Sequence, residues 1–484
     1  MINLIQNELT KIFKKKSIYI TLFITFIFII IINAIYVNSN NYYGYDPEQD
    51  IEFYEMQLER LKEDDSQTAK EAISIYQSEI DSAKLIQKYG NTATWQAMII
   101  YNHIRPLLQE KNQYLQAENE QSAQKVQTQI EELVERLDAG DWHYFAKQEL
   151  QEIEKSLQEQ KQLKENTVDV DTIASIDDQI FELELQKQVV NWRLEKDIPY
   201  GYSYWNTCLT NYQDAQREIR NYEKSGNQDN YEEKQSYYRY LEVAEISQYD
   251  IENKAESGNS SNARGLLLDG CTQFELFIII MIIMVTGTIV SEEFNKGTIK
   301  LLLIKPYKRS TILASKWITS LIMLFIIIVT VLLMQFVVGG IIQGFDTFAT
   351  PAVVYDHTTN QIGEMNIAVY LIMQILGKLP IYVLLMTLAF AFSTIFANSA
   401  LAITITLLGY MGAPFVNALA QAYNLDWIRF FVTPNWDLTQ YFFGGLPEFQ
   451  GTTPIFSIGI IIIYMLIMLI PTFIIFKKKN IKNI

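Results

Sequence analysis

The residues that could do chemistry in this chain are few, and most are scattered. Three histidines, His103, His143 and His357, are spaced like neither a metal-ligand set nor a catalytic triad. No Gly-x-x-x-x-Gly-Lys-Ser/Thr loop occurs; Gly377-Lys378 is followed by Leu379 in the middle of an apolar run. The many acids between 46 and 264 read as a solvated helix surface. No catalytic residue, metal site or cofactor is therefore expected in this chain, and any ATP hydrolysis would belong to another one. The informative charge is concentrated elsewhere. Residues 291–316, SEEFNKGTIKLLLIKPYKRSTILASK, place Lys296, Lys300, Lys305, Lys308, Arg309 and Lys316 between two apolar runs. So short and basic a link belongs on the cytoplasmic side. Two acids, a Gly-Thr turn, an apolar stretch, a Pro and an Arg give it the pattern of a docking element. Lys378, just before Pro380, is a charge inside an apolar run. It either lines a translocation path or extends its stem towards the outer interface. Glu275 is a candidate partner, though its position suits an outer-interface residue.

These residues are positioned by two contrasting populations of sequence. The mean hydropathy of +0.03 over 484 residues averages an acidic middle with apolar ends. Six runs are long enough to cross roughly 30 Å of hydrocarbon: 17–37, 272–290, 317–338, 368–392, 399–420 and 455–476. Lys14, Lys15 and Lys16 precede the first run, and Lys477, Lys478, Lys479 and Lys482 follow the last, so both ends are expected inside. Residues 1–16 then form an amphipathic interfacial helix, with the first run as an uncleaved signal anchor. Residues 38–271 and 339–367 lie outside, 291–316 and the tail 477–484 inside. The outer segment 421–454 carries Trp427, Phe430, Phe431, Trp436, Tyr441, Phe442 and Phe443, and reads as a re-entrant or interfacial hairpin. Residues 38–274 hold 23 Lys+Arg against 45 Asp+Glu, and the remainder 16 against 10. An acidic outer domain repels nucleic acid and attracts a cationic ligand; plain solubility explains the charge equally.

Between 47 and 258 the pattern is helical, which makes the whole an all-α polytopic membrane protein with an extracellular, coiled-coil-like stalk of long helices. Breaks fall at Gly90-Asn91, at Ala139-Gly140-Asp141, over 166–171, and at Ile198-Pro199-Tyr200-Gly201, with another at Ser225-Gly226-Asn227. The second of these helices has a stripe of Leu115, Val126, Ile130, Leu133, Val134 and Leu137, and at about 40 residues it would be about 60 Å long. With only Cys208 and Cys271, helix packing rather than disulfides must hold the domain. Tyr200, Tyr202, Tyr204 and Trp205 open a tyrosine-rich stretch that is either a platform for a glycan or peptide or packing between helices.

The order Glu292/Glu293, Gly297-Thr298, apolar 301–303, Pro306, Arg309 and Lys316, between the second and third runs, resembles the ABC-2-type permeases of ATP-binding cassette transporters. The start of the chain fits as well. Ile2, Ile5, Leu9, Ile12 and Phe13 share one helical face, with Glu8, Lys11 and Lys15 elsewhere. The resemblance covers residues 1–37 and about 272–484. It implies a dimer with a second copy or a homologous permease in the lipid bilayer, and separate ABC ATPase subunits that bind MgATP. It also implies that Glu292, Glu293, Gly297, Thr298, Pro306 and Arg309 couple to those subunits. The expected function is outward export of a lipid-like, peptide or drug-like substrate. The alternative is a surface sensor, receptor or envelope scaffold whose stalk binds a peptide, glycan or phage protein. Sodium or cation efflux is a weaker third, for no cluster of membrane-buried carboxylates is visible in the sequence.

Overall fold

A computed structural model describes residues 1–42, 46–61, 66–226, 230–258, 261–299 and 307–479. The chain divides into two compact units: residues 1–37, 227–238 and 257–484 form one, and 38–226 with 239–256 the other.

Among the described residues six helices are long and apolar enough to cross a membrane, and their apolar spans lie in the first unit. They are preceded by the short α1 (Ile2–Phe13). The six comprise α2 (Lys16–Tyr42), α14 (Glu275–Ile289) continued by α15 (Ser291–Asn295), α16 (Arg309–Gln343), α17 (Ile367–Phe396), α18 (Ser399–Ala422) and α19 (Pro454–Lys478). Two are central. Of the apolar window of α14 and of α17, 61% is buried, against 22% for α2, 17% for α18 and 11% for α19. Phe274, Ile278, Ile282, Val290, Tyr382 and Phe390 form the middle of the core. The central helices are apolar all round because protein surrounds them; the outer three turn Ile, Leu and Phe outwards.

At 35 residues α16 is about 52 Å long, well beyond the hydrocarbon thickness. This corrects the expected 291–316 loop: Arg309 to Lys316 are the first turns of α16. Short α12 (Ala263–Leu268) and α13 (Gly270–Gln273) precede α14. The all-α expectation also needs correction, since the 339–367 connection contains a hairpin of β1 (Ala352–Asp356) and β2 (Gln361–Met365). These are antiparallel, with Ala352 opposite Met365. Asp356 Oδ1 accepts from Thr358 N at 2.8 Å and Thr358 Oγ1 at 2.6 Å, which shapes the turn. The aromatic segment before α19 consists of two 3₁₀ turns, Asp426–Phe430 and Leu438–Gly444. Buried Asn435 pins it, donating to the carbonyls of Arg429 and Phe431 and accepting from Ser457.

The second unit is a helical bundle: α3 (Glu48–Leu61), α4 (Gln67–Gln87), α5 (Trp95–Ile99), α6 (Arg105–Gln116), α7 (Glu120–Asp138), α8 (Trp142–Asn166), α9 (Val170–Glu195), α10 (Tyr204–Ser225) and most of α11 (Tyr231–Asn253). Ser66, Thr94, Asn119, Asp141, Asp169 and Ser203 each accept a backbone N–H and fix where a helix begins. Gly201, at φ +96°, passes so close to Ala93 and Trp95 that a Cβ would meet backbone at 2.9 Å. The expected helix of about 40 residues is broken. Glu118 turns left-handed (φ 55°) and Asn119 caps α7, leaving exposed Leu115 on a different helix from buried Val126, Ile130 and Leu137. The longest element here, α9, has 26 residues, about 39 Å. It pairs antiparallel with α8 through Lys187–Glu154 at 2.7 Å and Lys161–Glu184 at 2.9 Å.

Candidate functional site: a buried charge network on alpha 1, alpha 15 and alpha 16

Leu4, Glu8 and Ile12 are spaced four apart, so they share one face of α1, and this is the buried face. The sequence pattern puts Ile2, Ile5, Leu9, Ile12 and Phe13 on one apolar interfacial face and Glu8 elsewhere; of that face Ile12 is buried in the protein. In the structure Ile2 and Phe13 are exposed, and Glu8 is only 5% exposed. Glu8 is buried because it has partners. Its Oε2 accepts from Lys316 Nζ at 2.6 Å and its Oε1 from Lys11 Nζ at 2.9 Å. Lys11 also donates to Glu293 Oε1 at 2.7 Å. Lys316, 1% exposed, donates to Ile289 O at 2.9 Å and faces Glu293 Oε1 at 3.5 Å. Thr298 Oγ1 donates to Glu293 Oε2. Two ammoniums, buried Lys316 and half-exposed Lys11, thus balance two carboxylates, and each of the four carboxylate oxygens accepts at least one hydrogen bond. A buried ion cluster requires this balance if desolvation is to be offset. Burial alone would lower the Lys11 ammonium, but the hydrogen bonds to Glu293 and Glu8 outweigh it and hold it above the usual lysine range.

A second layer lies beside this core. Lys15 Nζ donates to Glu292 Oε1 and Thr288 Oγ1, both at 2.7 Å, and Lys296 reaches Glu292 Oε2 at 3.4 Å. Gly297 ends α15 at φ +70°, turning the chain so that Thr298 returns to Glu293. A third node caps two other helices. Arg309 Nη1 donates to the carbonyls of Lys477 at 3.1 Å and Lys479 at 3.0 Å, at the end of α19. Lys479 Nζ donates to Thr394 O and Ile395 O at the end of α17 and lies 4.6 Å over the Phe294 ring. Cations at helix C-termini meet both the unsatisfied carbonyls and the negative end of the helix dipole.

Of the residues expected to couple, Glu292, Glu293, Gly297 and Thr298 are brought together and Arg309 sits at a neighbouring node. Pro306 lies outside the described residues, as does Lys482. Glu293 and Arg309 are committed to internal partners instead of standing free for another protein. The sequence reading missed Glu8 and Lys316 as buried members. The spacing of Glu8 with Leu4 and Ile12 was the available signal.

At the other end of α14, Lys378 is buried and meets Glu275, its candidate partner. Its Nζ pairs with Glu275 Oε2 at 2.9 Å and Asp437 Oδ2 at 2.7 Å, and Tyr410 OH donates to Glu275 Oε1 at 2.9 Å. In the second unit the four aromatics do not converge on a platform. Tyr200 donates to Glu149 at 2.5 Å with its ring 4.1 Å from the Arg193 guanidinium. Tyr204 donates to buried Asp250, and Trp205 packs edge-on to Tyr204. Tyr202 alone is largely exposed, at 63%. Among the described residues no three His, Cys, Asp or Glu side chains cluster as a metal site.

Fold and charge placement define the class: a multi-pass helical membrane protein carrying a folded helical unit between its first and second long apolar helices. A profile described as "Protein of unknown function (DUF2705)" matches residues 246–482. The chain is 31% identical over 248 residues to the uncharacterized protein YhcI of Bacillus subtilis (strain 168), covering 50% of this chain and 77% of YhcI. It is also 31% identical over 200 residues to the uncharacterized membrane protein YdbK of the same organism, covering 41% of this chain and 76% of YdbK. The chain belongs to one family with these two proteins. No solved structure matches it.

Proposed function

We propose that the chain is the membrane subunit of an ATP-driven exporter of the ABC-2 type. The observation that carries this reading is the network joining α1 to the α14–α16 link through Glu8, Lys11, Lys316 and Glu293. Held by this network, α15 and its turn to Thr298 move as one body with the helices beside them. They can therefore pass a push from a soluble motor into the membrane. Glu293, Thr298 and Arg309 build this base, while among the described residues of the segment Lys296 and Lys308 are exposed and able to meet the motor. ATP is bound and hydrolysed by separate subunits, two permeases pair in the bilayer, and both termini face the cytoplasm with 38–271 outside. The substrate is lipid-like, peptide or drug-like.

The test is affinity purification of the tagged chain, expressed with its genomic neighbours, followed by MgATP turnover of any soluble ATPase that accompanies it. Lys296→Glu with Lys308→Glu should release the ATPase while the chain stays folded in the membrane. Glu293→Ala should uncouple turnover from the permease. A chain that purifies without an ATPase, or binds one unchanged after the double charge reversal, overturns the reading. The second unit has its own cores, around Phe145 and around Trp142, which keeps a receptor role as the second reading. Excising 46–264 separates the two: an exporter keeps coupled ATPase activity and a receptor loses its response.

A further inference from the structure

The chain between α18 and α19 folds over a cleft of about 440 Å³, lined by Asn417, Thr433, Trp436, Asp437, Gln440 and Glu448 among others. That volume is in the range of small-molecule sites. Its polar wall is built in a definite order. Thr433 Oγ1 donates to Asn417 Oδ1 at 2.7 Å, and Asn417 Nδ2 donates to Glu448 Oε2 at 2.8 Å. Gln440 accepts from Glu448 N at 2.8 Å and spends its amide donors on the carbonyls of Pro434 and Asp437. Gln440 spends both amide hydrogens and Asn417 one of its two inside the wall, while one carboxylate oxygen of Glu448 is left over. Glu448 Oε1 accepts no hydrogen bond, and Glu448 makes no ion pair, among the described residues. The neighbouring acid has the same sign: Asp437, which also lines the cleft, shares the Lys378 ammonium with Glu275. Burial, with the Asp437 charge adding to it, pushes the Glu448 carboxyl above its usual range despite the Asn417 hydrogen bond.

A half-buried carboxylate lacking an opposite charge, beside an indole and above a cavity, is the arrangement that receives a cation. We propose that this cleft binds a monovalent organic cation, with Glu448 as its counter-charge and Trp436 as its apolar wall. An anion would meet the negative charges of Asp437 and Glu448. The proposal does not rest on the ATP-driven reading, because binding is a property of the chain alone.

The experiment compares tetraphenylphosphonium with tetraphenylborate, ions of like shape and opposite charge. Equilibrium binding is measured to the full chain in lipid nanodiscs against empty nanodiscs, without nucleotide. The phosphonium should bind saturably and the borate only as it partitions into lipid. Glu448→Gln should weaken phosphonium binding at least tenfold; its amide oxygen can still accept from Asn417, so the thermal midpoint should hold. Asp346→Asn, an exposed acid elsewhere in the same unit, should change nothing. If Glu448→Gln lowers the midpoint, Trp436→Leu takes its place and should weaken binding severalfold. The proposal is overturned by non-saturable phosphonium uptake, by equal binding of the two ions, or by wild-type affinity in a folded Glu448→Gln or Trp436→Leu protein.

Discussion

Phe145 and Phe415 are one residue type placed in two solvents. Phe145 is 1% exposed at the centre of the helical unit, while Phe415 is 74% exposed on α18. The charges are reversed to match. Lys187, Glu154, Lys161 and Glu184 tie α8 to α9 at their surfaces, while Glu8 and Lys316 are sealed inside the apolar-helix unit. The helical unit is stabilised by taking apolar surface out of water. The apolar-helix unit gains little from that where lipid would cover the same surface, so packing, hydrogen bonds and paired charge must specify it. A surface pair in the first case contributes up to about 1 kcal/mol. Breaking a buried pair in the second is far costlier, because it strands a charge.

That contrast can be broken in several places. The largest effect is expected from Lys316→Met, which leaves Glu8 and Glu293 to share the single ammonium of Lys11; it should cost about 3–5 kcal/mol. Thermal unfolding in nanodiscs measures it, and adding Glu8→Gln to Lys316→Met should recover part of the loss. No recovery would mean that the network is not a coupled unit. Phe145→Ala should cost a similar 3–5 kcal/mol by leaving a cavity. Phe415→Ala should change stability by less than about 0.5 kcal/mol, since lipid tails fill the gap. A loss at Phe415 as large as that at Phe145 would show that protein, not lipid, covers that face of α18. Thr94→Ala removes a helix cap and should cost about 1 kcal/mol, read from the same transition. The smallest signal is chemical. Burial pushes the Cys208 thiol up to about 12 and the Cys271 thiol to about 11. Both should resist maleimide at neutral pH until the chain unfolds, because the thiolate is the reactive form. Labelling of either in the folded protein would reveal a local opening.

Much of the fold was legible in the chain. The apolar runs and the helix breaks at Gly90, Gly140 and Gly201 are local signals, and the structure places helix ends beside each. The hairpin at 352–365 has a short local signature, Val353, Val354 and Tyr355 followed by an Asp-to-Asn turn, set in a connection between two long apolar runs. The break at Glu118-Asn119 is harder to read, because a stripe that continues from Leu115 to Val126 hides a cap between two helices.

The site divides along a different line. Sequence alone determined where charge is concentrated, which helices are apolar enough for lipid, and that Lys378 needed an explanation. Composition and spacing act over a few turns, so they can be read without a fold. Only the tertiary structure decided partners. Glu8 meets Lys316 across 308 residues, and Lys378 chooses Glu275 and Asp437 from opposite sides of α17 in sequence. No periodicity encodes such a choice. It follows from which helix ends reach the same depth and from the cost of leaving any one of those charges buried alone.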